Sequence, residues 1–141
     1  MAKKRVFVSF DYEKDRQYYF LLKAWDANSD FEFSFSDYTS KEIQSDSVPV
    51  IKANLTKKIK EATYTLVIVG SDANKRHKDA AEIGYKNWQN FEIAQSKANS
   101  NKLVGVKIDR SNESPDELMN SGATWALSFT QTAIIDALNK A

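Results

Sequence analysis

Cysteine is absent from this chain of 141 residues, which excludes disulfides and thiolate metal sites. Histidine is almost absent as well. The one histidine, His77, cannot form a zinc site alone, and it lies in a polar stretch beside Arg76 and Lys78. We therefore expect no metal and no bound cofactor, and we interpret His77 as a solvated loop residue.

The chain also lacks a large net charge and a long apolar run. Twenty Lys and Arg side chains are matched by nineteen Asp and Glu, which leaves a formal charge of +1, and such a balance attracts neither nucleic acid nor an acidic membrane. No apolar run approaches the ~20 residues of a membrane span. The basic N-terminus has no apolar signal segment. The sequence predicts a soluble, cytoplasmic protein without nucleic-acid or membrane partners.

What the chain does contain is enough apolar surface for a globular core. Hydrophobic residues make up 42% of it, which is typical of folded domains and not of disordered chains. No internal repeat, low-complexity tract or linker divides it. The sequence therefore predicts a single domain over residues 1–141.

Strand and helix patterns alternate along the chain. Five short runs are continuously apolar or alternate with period two, as strands do: residues 5–10, 31–35, 64–69, 103–108 and 124–127. Helical spacing or helix-start residues mark four other segments: residues 15–27, 49–61, 88–98 and the stretch that Thr130 can cap. Residues 72–87 read as a long polar loop.

This alternation predicts an α/β, flavodoxin-like, three-layer sandwich. A short chain with about five strands favours a parallel sheet in the order 2-1-3-4-5, with helices on both faces. In that order, ligands bind at the carboxyl ends of the first and third strands. Six candidate binding residues follow strand ends or begin the next helix: Phe10, Asp11, Tyr12, Asp37, Ser71 and Trp88.

The helical segment over residues 88–94 carries the strongest functional signal. Trp88 and Phe91 lie three residues apart and share a helix face, and Glu92 follows Trp88 by four. An acid held beside aromatic rings is partly desolvated and fixed in place, as a carboxylate must be to meet the positive charge of a reacting sugar. The alternative is that the aromatics are core anchors and Glu92 is a solvated helix residue.

The other candidates also have ordinary structural interpretations. Phe10 fits a core residue equally well, and Asp11 fits an acid at a turn or helix start. Ser71 can simply stabilise a turn. The convergence of these polar and aromatic residues at one edge of the predicted sheet favours a functional interpretation of Glu92.

Two segments resemble a known family. Residues 5–15 are similar to the opening of the bacterial and archaeal TIR-like domains, the branch that supplies the NAD-processing protein of the Thoeris antiphage system. Residues 88–94 resemble that family's Trp-x-x-aromatic-Glu-Ile element, and the strands at 64–69 and 103–108 match in place and character. The resemblance covers about residues 5–109. The chain departs from the family pattern in the long segment 72–87, which can reshape the rim of the pocket.

The resemblance implies a TIR fold, a catalytic Glu92, and NAD as substrate, cleaved at the nicotinamide bond to ADP-ribose or a cyclic ADP-ribose-type signal. Because nicotinamide leaves as a neutral base, one carboxylate suffices and no general acid is required. The partners implied are further copies of the chain and a downstream effector that senses the nucleotide product in antiphage defence.

Two other classes compete with this interpretation. A non-catalytic TIR-type module would bind a protein partner or a nucleotide without cutting it, since fold does not decide function. A two-component receiver domain shares the strand order but needs an aspartate at the end of its third strand. Here that strand ends in Val69, Gly70 and Ser71, which argues against a receiver domain.

Overall fold

The computed structural model describes residues 3–36 and 47–141, so the predicted binding residue Asp37 lies outside the described residues. In the described chain, one sheet is formed by β1 Lys4–Ser9, β2 Phe33–Phe35, β3 Tyr64–Val69, β4 Lys102–Lys107 and β5 Thr124–Ala126. Every strand pair is parallel, and the order is β2-β1-β3-β4-β5. The predicted sheet is confirmed, with β3 at its centre.

The described helices are α1 Tyr12–Asp26, α2 Val48–Lys60, α3 Ala80–Ile83, α4 Trp88–Ala98 and α5 Gln131–Lys140, with a 3-10 turn at Asp116–Leu118. Side-chain caps fix the starts of the longer ones, because each accepts a hydrogen bond from a first-turn N–H that has no partner within its helix. Asp11 caps α1 in this way, so the helix begins three residues before the predicted position 15. Thr130 caps α5 as predicted.

The two faces of the sheet bury different helices. Successive strand residues point to opposite faces. Val8, Leu66 and Val104 pack on one face with residues of α1 and α5. On the other face, Phe7 packs with α2 and with Phe91 of α4. Helices therefore cover both faces, as predicted, and α4 lies against the face to which the odd-numbered residues of β1 point.

The segment 72–87 differs from the prediction of a polar loop. It contains α3, and Ala73, Ala80 and Ile83 are buried. His77 is half-buried, and its Nδ1 accepts a hydrogen bond from the backbone N–H of Asp79 at 2.9 Å. Three buried apolar residues hold the segment against the domain, so it is a packed part of the fold and His77 is not a fully solvated residue.

Gly105 of β4 yields a test of the sheet's outer edge. It is paired with Trp125 of β5, and an added β carbon would lie 2.8 Å from Cζ3 of that indole. We expect Gly105→Ala to lower the free energy of unfolding by about 1–3 kcal/mol through overpacking, measured by urea denaturation. In a Trp125→Leu background the same change should cost clearly less. An equal cost in both backgrounds would contradict this account.

Candidate active site

A buried contact between α4 and β1 forms the centre of the candidate site. Glu92 is only 3% exposed, and its Oε1 accepts a hydrogen bond from the Ser9 hydroxyl at 2.7 Å. The two residues are 83 positions apart in the chain. The alternative of a solvated Glu92 is therefore wrong. The carboxylate lies on the face of the sheet that α4 covers, beside the carboxyl end of β1.

Gln89 reaches the same strand end from one turn earlier on α4. Its Nε2 donates to the Ser9 carbonyl at 3.3 Å and to the Ile68 carbonyl at 3.0 Å. Ser9 is thus contacted by two side chains of α4, one on its hydroxyl and one on its carbonyl. Neither Ser9 nor Gln89 is among the binding or catalytic residues predicted from the sequence. The available signal was a small polar residue at the end of an apolar strand.

Asparagine side chains fix the first turn of α4. Asn87 caps the helix through Asn90 N–H at 2.9 Å, and its Nδ2 donates to the carbonyls of Ala73 and Lys75. Asn90 in turn accepts from the backbone N–H of Glu117 at 2.8 Å. These bonds join the start of α4 to the segment 72–87 and to the 3-10 turn, so three parts of the chain share one fixed arrangement.

The predicted binding residues that follow β1 have clear structural roles. Phe10 is buried and stacks on Tyr19, with ring centroids 4.8 Å apart and planes 8° apart, in the core on the α1 side. Asp11 accepts from Glu13 N–H and caps α1. Tyr12 is half-buried, and its ring centroid is 6.1 Å from that of Phe10. Their contacts with a ligand stay a prediction.

The remaining predicted residues lie in different surroundings. Trp88 is half-buried and meets Phe91 edge to face at 5.6 Å, which confirms that the two aromatics share a helix face, and it also contacts His77. Ser71 is exposed in the turn that follows β3. The structure therefore brings Ser9, Gln89 and Glu92 together, whereas Ser71 lies at the surface.

A second buried acid lies near the same edge of the sheet. Asp15 of α1 is 6% exposed, and its Oδ2 has no hydrogen-bond partner. The carboxyl packs directly on the backbone of Gly70, where any β carbon would overlap it. Burial, followed by the charges of Asp11 and Asp72, raises the pKa of Asp15 to about 6. Asp72 itself pairs with Lys14 at 3.0 Å, so that lysine only partly offsets the effect.

The described residues contain no candidate metal site. No cluster of three or more His, Cys, Asp or Glu side chains in residues 3–36 and 47–141 could hold a metal ion. Likewise, none of the helices seen in this part of the chain has the length and apolar character needed to cross a membrane.

A groove of about 750 Å³ between α2 and α4 includes Lys52, Lys57, Tyr85 and Phe91 but not Glu92.

Comparison with protein families identifies the chain. The profile described as "Thoeris protein ThsB, TIR-like domain" matches residues 7–113, a span that includes Ser9, Gln89 and Glu92. The chain belongs to this family of TIR-like domains. The resemblance noted in the opening strand and in α4 is thereby confirmed. No curated protein matches the chain significantly.

Solved structures share the fold of this TIR-like domain. A prokaryotic SEFIR domain is 15% identical, with 98% of this chain and 95% of that chain covered and a TM-score of 0.53. A 2-desoxiribosyltransferase from Leishmania mexicana is 12% identical, with 97% of each chain covered and a TM-score of 0.55. At these identities the likeness concerns the fold alone, and it agrees with the parallel sheet order described above.

Asp15 should make the stability of the TIR-like domain depend on pH. Its pKa rises from 3.8 in the unfolded chain to about 6 in the fold, so the folded state binds the extra proton and stability falls as pH rises between these values. Asp15→Asn removes that cost. We expect the variant to match the parent near pH 4 and to exceed it by up to about 3 kcal/mol above pH 6, since one pKa unit corresponds to about 1.4 kcal/mol.

The measurement is urea unfolding of both proteins at several pH values from 4 to 7.5. Asp30→Asn is the matched control, because Asp30 is an exposed aspartate, and it should show no such pH-dependent gain. A stability difference between Asp15→Asn and the parent that stays constant across this range would contradict the assignment.

Proposed function

We propose that this TIR-like domain cleaves NAD at the bond between nicotinamide and ribose, with Glu92 as its catalytic carboxylate. The observation that supports the proposal is the buried Ser9–Glu92 hydrogen bond of 2.7 Å at the end of β1. Open α/β sheets bind ligands at the carboxyl ends of their strands. A buried acid fixed at that edge is the arrangement needed to stabilise positive charge on a sugar.

The chemistry follows from the charge of the substrate. The nicotinamide ring of NAD is cationic, so when the C1′–N bond breaks its electron pair neutralises the ring and the base departs without a proton. Positive charge then develops on the ribose as an oxocarbenium ion. The Glu92 carboxylate stabilises that charge, and burial strengthens the attraction because the surroundings screen it less than water does.

The nucleophile that meets the cation decides the product. If water attacks C1′ and releases its proton, the product is ADP-ribose. If a ribose hydroxyl or an adenine nitrogen of the same molecule attacks, the product is a cyclic ADP-ribose-type signal. Either nucleotide would serve as the message to a downstream effector in antiphage defence, in keeping with the Thoeris family to which the domain belongs.

Access to Glu92 requires movement of the residues that cover it. At 3% exposure the carboxylate does not meet solvent freely, and enzymes commonly complete and expose such sites through loop or domain motion. We propose self-association of the domain as the event that opens the site. The enzyme would then be inactive as a free domain and active once assembled.

Glu92→Gln tests the proposal. Glutamine keeps the size of the side chain but removes its charge, so we expect nicotinamide release to fall at least about 100-fold, roughly 3 kcal/mol in the activation barrier. The assay is chromatography of NAD incubated with purified protein, alone and with infected-cell lysate. Glu82→Gln is the control, since Glu82 is an exposed acid on α3. Circular dichroism checks that both variants fold.

A non-catalytic module is the competing function, and the buried Ser9–Glu92 bond is compatible with it as a purely structural contact. Two outcomes would favour this alternative: parent protein that never consumes NAD under triggering conditions, or Glu92→Gln protein as active as the parent. Calorimetric titration with NAD would then separate a nucleotide-binding module from a protein-interaction module.

A further inference from the structure

We propose that Ser9 and Gln89 are positioning residues that hold the Glu92 carboxylate in its reactive place, an inference that rests on the proposed function of Glu92. Neither residue stood out in the sequence, and neither needs to touch the substrate to fulfil this role. Both act on the angle and depth at which α4 presents its acid to the end of β1.

Two side chains of α4 form hydrogen bonds with Ser9. Gln89 and Glu92 lie three residues apart, so they share a face of α4. Glu92 accepts from the Ser9 hydroxyl at 2.7 Å, while Gln89 donates to the Ser9 carbonyl at 3.3 Å and to the Ile68 carbonyl at 3.0 Å. Because these two contacts lie one turn apart, they oppose both translation of α4 along its axis and rotation about it.

On the strand side, Ser9 is held by the sheet. Ser9 is completely buried and is paired with Val67 of β3, inside the parallel ladder. A glutamate side chain has three rotatable bonds and would sample several positions without a partner. A short hydrogen bond from a fixed hydroxyl to a carboxylate is among the stronger neutral-to-charged bonds. Ser9 therefore holds one oxygen of the Glu92 carboxylate at a defined position.

Ser96 offers a matched control on the same helix. It is completely buried, and its hydroxyl donates to the backbone carbonyl of Glu92 at 2.8 Å and bonds the Thr65 hydroxyl at 2.7 Å. Ser96→Ala thus removes a buried serine hydroxyl next to Glu92 without removing a contact of its carboxylate. A purely structural role for Ser9 would make the two alanine variants behave alike.

The first test compares the kinetics of Ser9→Ala, Gln89→Met and Ser96→Ala with the parent, at a temperature well below the lowest Tm. We expect Ser9→Ala to lower kcat about 10- to 100-fold with KM within about threefold, since misplaced catalytic groups cost up to this much. Gln89→Met should lower kcat in the same direction. Ser96→Ala should keep kcat within about threefold of the parent, even if its Tm falls by as much as the Tm of Ser9→Ala. Equal kcat values for Ser9→Ala and Ser96→Ala would overturn the proposal.

The pH profile gives a readout that loss of stability does not move. A hydrogen bond to an ionised carboxylate favours the ionised form. Loss of the Ser9 hydroxyl should therefore shift the acidic limb of the kcat profile to higher pH, and loss of the Ser96 hydroxyl should leave that limb in place. A kcat pH profile for Ser9→Ala that coincides with the profile of the parent would contradict the positioning role of Ser9.

A measurement that does not require NAD cleavage tests the positioning role independently of the proposed function. Carbon-13 NMR of glutamate-labelled protein follows the Glu92 carboxyl directly, with Glu92→Gln to assign its signal. The carboxyl should titrate at a higher pH in Ser9→Ala than in the parent or in Ser96→Ala. If the parent cleaves no NAD but this shift appears, the proposed function fails and the positioning role stands. If the titration is the same in all three proteins, the positioning role fails.

Discussion

The docking of α4 on the end of β1 is the constraint on which the candidate site depends. Much of the buried surface of this helix is polar, since Gln89, Asn90, Glu92 and Ser96 are buried alongside its apolar residues. A buried polar group left without a partner costs about 1–3 kcal/mol. Each of these side chains has a hydrogen-bond partner outside α4, and Gln89 and Glu92 share Ser9 at the end of β1. The docking of α4 therefore depends on matched polar partners as well as on the apolar contacts of Phe91 and Ile93.

Two buried carboxyl groups near the same sheet edge have different surroundings. The Glu92 carboxylate accepts a hydrogen bond from the Ser9 hydroxyl. Asp15 has an oxygen with no partner and packs on Gly70, and burial raises its pKa to about 6. The proposed function places the chemistry on Glu92 because that residue combines burial with a hydroxyl donor at the edge where open α/β sheets bind ligands.

Much of the fold follows from local patterns in the sequence. Continuous apolar runs gave β1, β3 and β4, and helical spacing gave α2 and α4, because side-chain periodicity is a property of each segment by itself. Thr130 signalled the start of α5 for the same reason, since a cap acts within its own first turn. Strand order then followed from topology rules. The family could be named from the opening strand and the Trp88–Glu92 element, and the family profile agrees.

Contacts between distant segments were decided by the tertiary structure. Spacing could place Glu92 near aromatic rings, but its partner Ser9 is 83 residues away and is reached only through the register of β1 with β3 and the rotation of α4. The stacking of Phe10 on Tyr19 is likewise a contact between separate segments that the sequence does not predict. The segment around α3 looked like a polar loop because its few buried apolar residues lack periodicity. Sequence periodicity determines which face of an element is apolar, whereas the hydrogen-bond partner of a buried polar group depends on how separate elements pack.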